Sequence, residues 1–347
     1  MENTQLDFGQ AEIIEALPEG AAELMGTVEP GELIQLTFSA VVSEIWQMFL
    51  TEVTKPLILL VSLAGVILLC AVAEALRDSG GKSGASAKTA FEMAGVLAGA
   101  GIMSAAIADA VIRTSNTLTS AGAFMLVFIP VLAGIMAVMG QLVSANLFNT
   151  AVLAAAQVFS QIMVMALMPL AVSILGVSIA GAVSPDLKTE RLANTVKTVV
   201  VWVLGLLTTV FVGLLTIQSL VSGSADSVAM RAVKFTLSGG VPFVGGMFGD
   251  ALSVVNGSMG ILKSTTGGFG MLAIAATCLP TLLSVLTFRI ALNLAGAVSD
   301  VFGAARLGSL LKSGESVLSI ILAMLVCFML IMLVSVALMI RIGTGGT

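Results

Sequence analysis

Residues 316–340 read SVLSIILAMLVCFMLIMLVSVALMI. These 25 residues carry no charge, and Arg341 closes the run. About 20 apolar residues in helical form cross the hydrocarbon core of a bilayer, so this stretch predicts a membrane-spanning helix. The same pattern recurs outward along the chain. Residues 267–288 form a further candidate span, kinked by Pro280, and residues 196–220 another, with Lys197 at one edge. Residues 121–143 qualify with Pro130 inside, and 89–112 with Glu92 and Asp109 near the ends. Residues 56–76 qualify with Pro56 at the expected helix start, where a missing N–H does no harm.

Residues 146–183 are harder to divide. Their 38 residues hold no charge, too many for one span and few for two. Pro169 splits them, which predicts helices over 146–168 and 170–183 joined as a tight hairpin; one broken, tilted helix is the alternative.

Composition agrees with the membrane class. Of 347 residues, 58% are hydrophobic and 10% charged, and mean hydropathy is +1.10. A soluble domain carries about 25% charged residues, so an ordinary soluble enzyme is excluded. The chain has neither histidine nor tyrosine, which removes His-based metal sites and His general bases. Cys70, Cys278 and Cys327 lie far apart inside apolar runs and read as small hydrophobes rather than a disulfide framework.

Charge divides the chain in two. Residues 1–55 hold ten acidic residues against the single basic Lys55. They read as an acidic extracytoplasmic segment, and 56–347 as the helical membrane domain. Met1-Glu2-Asn3 opens polar and acidic, so no signal peptide is expected. Within 31–54, Leu33, Phe38, Val41, Ile45, Phe49 and Val53 recur at helical spacing among polar residues. This predicts an amphipathic helix on the membrane or the body, with Trp46 placed as an interfacial anchor. The scattered basic residues give no nucleic-acid footprint. Arg77, Lys82 and Lys88 form one basic cluster, Lys188, Arg191 and Lys197 a second, and Arg289, Arg306 and Lys312 a third. With eight crossings all three share one side, expected to be cytoplasmic, and both termini lie outside. Arg231, Lys234 and Lys263 run against that assignment.

Few polar groups interrupt the spans. Gln157 and Gln161 lie four apart on one helix face; they line a polar path or, more simply, hold a partner helix by amide hydrogen bonds. Phosphate loops, nucleophile elbows, HExxH and CxxC motifs are missing from the sequence. No enzyme activity, cofactor or metal is expected.

Residues 222–264 are unlike an ordinary loop. Arg231-Ala232-Val233-Lys234-Phe235 precedes Gly239-Gly240, and then comes Val241-Pro242-Phe243-Val244-Gly245-Gly246-Met247-Phe248-Gly249-Asp250-Ala251. Two short apolar helices around the glycine break would make a re-entrant hairpin, or an interfacial one lying flat on the body. The pattern R-x-x-K-F, a glycine turn, then [VI]-P-x-[VLI]-G-x-M-F-x-D-A resembles the stage III sporulation protein AE family. So do Arg191-Leu192-Ala193-Asn194 and Ile217-Gln218 at the ends of the preceding span, Met168-Pro169-Leu170, and the Pro280 helix. The resemblance covers roughly residues 31–341, and Gly246 stands where the family often has a basic residue.

The resemblance implies an all-α, polytopic integral membrane protein of about seven to eight spans. It implies residence in the bacterial cell membrane, on the mother-cell side around the forespore, within a channel or secretion-like complex that supports forespore development. Implied partners are other stage III sporulation A proteins, including a secretion-type ATPase and ring-forming single-span proteins, with membrane lipid and without nucleic acid. Arg231, Lys234, Phe235, Pro242, Gly245, Met247, Phe248 and Asp250 are then the candidate assembly residues. A free-standing secondary transporter is the alternative, although no internal repeat is evident.

Overall fold

The computed structural model describes residues 16–17, 38–78, 84–183, 189–240 and 245–342. Every regular element among them is helical. In chain order these are α1 (Phe38–Asp78), α2 (Gly84–Val138), α3 (Leu142–Gln161), a π-helical segment (Ile162–Leu167), α4 (Met168–Val183), α5 (Thr189–Gly240), α6 (Gly245–Val301) and α7 (Ala305–Arg341). The π segment joins α3 to α4 without a break, so the elements make six rods. All six are long and apolar enough to cross a membrane.

Six rods replace the eight shorter spans because two expected breaks are helical. Residues 113–120 (RTSNTLTS) separate the spans expected at 89–112 and 121–143 by polarity alone, with neither glycine nor proline to stop a helix. Two of their threonine hydroxyls find partners within the helix or across to a neighbour instead. Thr119 donates to the Ser115 carbonyl one turn back at 2.9 Å, and Thr117 bonds Thr281 across to α6 at 2.7 Å. The second expected break, at Pro169, is absorbed by the π segment. Proline has no N–H for the carbonyl four residues back and its ring crowds that carbonyl. The wider turn relieves this, and the Met168 N–H bonds the Met163 carbonyl five residues back. Residues 142–183 are therefore one rod, not a tight hairpin. Pro56, expected at a helix start, lies inside α1, which runs unbroken from the amphipathic stretch into the first span. Residues 31–37 and the side chain of Trp46 lie outside the described residues.

Both short connections among the described residues are glycine turns. Gly140 has φ 80° and Gly303 φ 77°. At the end of α2 the Gly140 N–H bonds the Ala137 carbonyl and the Gln141 N–H the Met136 carbonyl. Gly303 to Asp300 and Ala304 to Ser299 repeat the pattern after α6. This is the Schellman arrangement, which needs a left-handed residue at the turn. Arg289, Arg306 and Lys312, expected in a loop, consequently lie on α6 and α7. Arg289 pairs with Glu315 at 3.0 Å and Lys312 with Asp300 at 2.9 Å.

Side-chain contacts fix the register. Arg113 of α2 pairs with Asp109 at 2.9 Å and with Glu52 of α1 at 3.5 Å. A Cβ on Gly270 would come within 2.1 Å of the Phe128 ring, and one on Gly314 within 2.2 Å of the Met103 sulfur. Neighbouring rods alternate in direction. Helix ends flanking 79–83, 184–188 and 302–304 therefore gather at one end of the bundle, and residues 139–141, the 240/245 helix ends and Ile342 at the other. The six-rod arrangement keeps all three basic clusters on one side because it removes two crossings, not one.

The most apolar run, 316–340, takes the centre. Leu318, Ile321, Leu325, Phe328, Met332 and Val336 of α7 are fully buried, and so are Val317, Ile320 and Met324 on its other flank. A helix that is apolar all round belongs inside. Phe124 and Phe128 of α2 stack at 5.4 Å against this core. The outward faces of α1 and α5 remain apolar, with Val61, Leu69, Trp202 and Ile217 exposed, as expected of lipid-facing surface. Cys278 is buried, Cys70 and Cys327 are partly so, and none of the three is in a disulfide.

Candidate functional site

The far end of the bundle contains the most buried charge among the described residues. Lys263, on α6, is fully buried, and Asp226, on α5, is 6% exposed. Ionisable groups in such surroundings are costly unless paired or bonded, and each of these two meets a helix end.

Asp226 closes the start of α3. The first N–H groups of a helix have no partner within it, and Gln141, the residue before α3, makes no side-chain cap. The carboxylate of Asp226 supplies the acceptors from another rod. Val143 N–H donates to Oδ1 and Ser144 N–H to Oδ2, both at 3.0 Å. A negative charge at a helix N-terminus is also favoured by the helix dipole. The glycine turn at 140 is what presents these donors to α5.

Lys263 closes the opposite kind of end. Its ammonium donates to the carbonyl of Ile342, where α7 stops, and to Gln141 Oε1 at 3.0 Å. A cation at a helix C-terminus complements the dipole there. Asp226 lies near enough to attract the ammonium as well. One acid and one base thus join the α2–α3 turn, α5, α6 and the end of α7. The arrangement is an electrostatic clasp, and it holds no group of three or more metal-ligating side chains among the described residues.

Sequence reasoning counted Lys263 as a loop charge and passed over Asp226. A single sequence offers one hint: Lys263 and Arg289 bracket 25 uncharged residues on α6, so Lys263 had to sit at the edge of a span. The partners lie 79 to 122 residues away, beyond the reach of local pattern.

The expected motif residues lie just beyond this clasp. Arg231 is exposed on α5. Lys234 and Phe235 fall on the last turns of α5, and Gly245, Met247, Phe248 and Asp250 on the first turns of α6; their side chains lie outside the described residues, as does Pro242 altogether. The two short helices expected around the glycine break are the ends of two long rods. Gln157 is half-buried and Gln161 is exposed at the start of the π segment.

Comparison with known proteins adds the family. A family profile described as stage III sporulation protein AE matches residues 21–343. The chain belongs to this family. A curated relative, the stage III sporulation protein AE of Bacillus subtilis (strain 168), is 27% identical over 188 residues, which is 54% of this chain and 46% of the relative. The alignment thus spans about half the length of that relative. No solved structure matches. The chain is a sporulation-family protein with six candidate membrane-spanning helices, and the family match takes in the motif residues and the clasp alike.

Proposed function

We propose that this protein is a non-enzymatic integral membrane subunit of the stage III sporulation channel, a secretion-like complex between mother cell and forespore that supports forespore development. The family match across residues 21–343 carries the proposal. Six rods of membrane-spanning character are consistent with it. On this proposal the protein resides in the mother-cell membrane around the forespore. Its partners are the other stage III sporulation A proteins, including the secretion-type ATPase and the ring-forming single-span proteins.

Orientation follows from charge. The end of the bundle that gathers Arg77, Lys88, Arg191 and Arg306 faces the cytoplasm, because the short connections on that side are rich in Lys and Arg. The clasp then lies at the outer face, and the rod ends carrying Arg231, Lys234 and Asp250 reach beyond it toward the partners.

Purification of the full-length protein from membranes of sporulating cells tests the proposal. The other stage III sporulation A proteins are expected to co-purify. A protein that comes alone, and whose loss leaves forespore development unchanged, would favour a free-standing transporter instead.

A further inference from the structure

The rods α3 and α5 lie antiparallel, in a register set at both ends. Asp226 meets the Ser144 N–H at 3.0 Å, and the rings of Phe159 and Phe211 lie 5.8 Å apart. Between these points lie Ser222 of α5 and, one turn further along, Gln218. Positions 218, 222 and 226 fall on one face of α5 at helical spacing.

Three oxygens on these two walls are buried and accept no hydrogen bond from the protein: Ser144 Oγ, Gln218 Oε1 and Ser222 Oγ. The serines could have donated to the carbonyl one turn back, as Thr216 and Ser224 on the same rod do at 2.8 Å. They do not, although both are fully buried. Orphaned polar groups are disfavoured in an apolar interior and more so within a membrane. A groove of about 400 Å³, lined in part by Gln218, Leu147 and Ala151, opens at the same level.

We infer that the seam between α3 and α5 binds water, in a chain that runs from the groove at Gln218 past Ser222 and Ser144 to the carboxylate of Asp226. Water is the ligand class that fits. It donates to several neighbouring oxygens at once, and buried waters characteristically make about three hydrogen bonds to groups of this kind. Asp226 uses each carboxylate oxygen once for α3, and each retains a lone pair for a water. The chain would give an acid at the bundle's edge an aqueous connection deep along two rods. It stands independently of the sporulation role.

Thiol chemistry tests this in the full-length protein. Cys70, Cys278 and Cys327 are first replaced by alanine. Ser222→Cys, Ser144→Cys and Ala156→Cys are then compared in membrane vesicles with a small charged methanethiosulfonate. That reagent needs a hydrated thiolate, so a wet wall should react about tenfold or more faster than a dry one. Ala156 is fully buried in the apolar core of α3 and serves as the dry reference. Faster modification at both 222 and 144 than at 156 is expected. Rates at either position no greater than at 156 would overturn the inference. Should Ser222→Cys fail to accumulate, Gln218→Cys takes its place under the same criterion.

Discussion

Replacing Asp226 tests the clasp most directly. Asp226→Ala leaves two N–H groups of α3, those of Val143 and Ser144, without acceptors. Each is a bond to a charged group, a kind that contributes about 1.5–3 kcal/mol, so the two together are worth about 3–6 kcal/mol. Water drawn into the space left by the side chain moves the cost toward the lower figure. Lys263 also loses its nearby counter-charge, which moves it the other way. Asp226→Asn is the informative control. Its amide keeps one oxygen for one N–H but turns an NH₂ toward the other, so roughly half the loss, about 1.5–3 kcal/mol, is expected. The order of stability should be wild type, then Asn, then Ala. Titration of the purified protein from mild detergent into mixed micelles with dodecyl sulfate reads this as a shift in the unfolding midpoint. An alanine variant within about 1 kcal/mol of wild type would show that these bonds contribute no more than an ordinary exposed contact, and the clasp would lose its structural role.

Gly270 should tolerate no side chain, since a Cβ would meet the Phe128 ring at 2.1 Å. Gly270→Ala is expected to lower stability by about 1–3 kcal/mol through overpacking, and Phe128→Leu in the same chain should restore part of the loss when both are measured by detergent unfolding. At the motif, Lys234→Ala and Asp250→Ala are expected to leave the protein inserted and abundant, because both lie outside the long uncharged runs that cross the membrane, yet to weaken co-purification with the channel partners and forespore development. Normal sporulation in both single variants and the double variant would remove these residues from the assembly surface. Cysteines placed at positions 85 and 190 should resist labelling from outside intact cells while one at 345 reacts, and labelling at 85 would reverse the proposed orientation.

Much of the membrane architecture could be read from charge-free runs. The stretch 316–340 identified its own helix, and its uniform apolarity is what places it at the centre. The span expected at 267–288 falls inside the uncharged run of α6. What local pattern could not supply was continuity. Polar residues at 113–120 look like a loop to a hydropathy window, but no glycine or proline stops the helix there, and with Thr119 bonded one turn back and Thr117 bonded to Thr281 of α6 it runs through. Pro169 looks like a break, but one π turn accommodates it. Among the described residues Gly140 and Gly303 mark the turns, and each is a single glycine, one of 36 in the chain, which gives little local warning. The clasp was least legible, because Asp226 and Lys263 are defined by what they touch, and those partners lie far away in sequence. The motif at 231–251 was legible only as resemblance.

The clasp also orders the making of the molecule. Ser144 leaves the ribosome 82 residues before the carboxylate that receives its N–H, and Lys263 leaves 79 residues before the carbonyl it holds. The nascent rods α2 to α4 therefore enter the bilayer with the start of α3 still open, and α6 enters with a cation that has yet to meet the end of α7. Closure waits for the last turn of the chain. A ribosome that stops short of Ile342 would release a bundle with a buried lysine lacking one of its two acceptors, a defect that membrane quality control could recognise even though nearly every span is present.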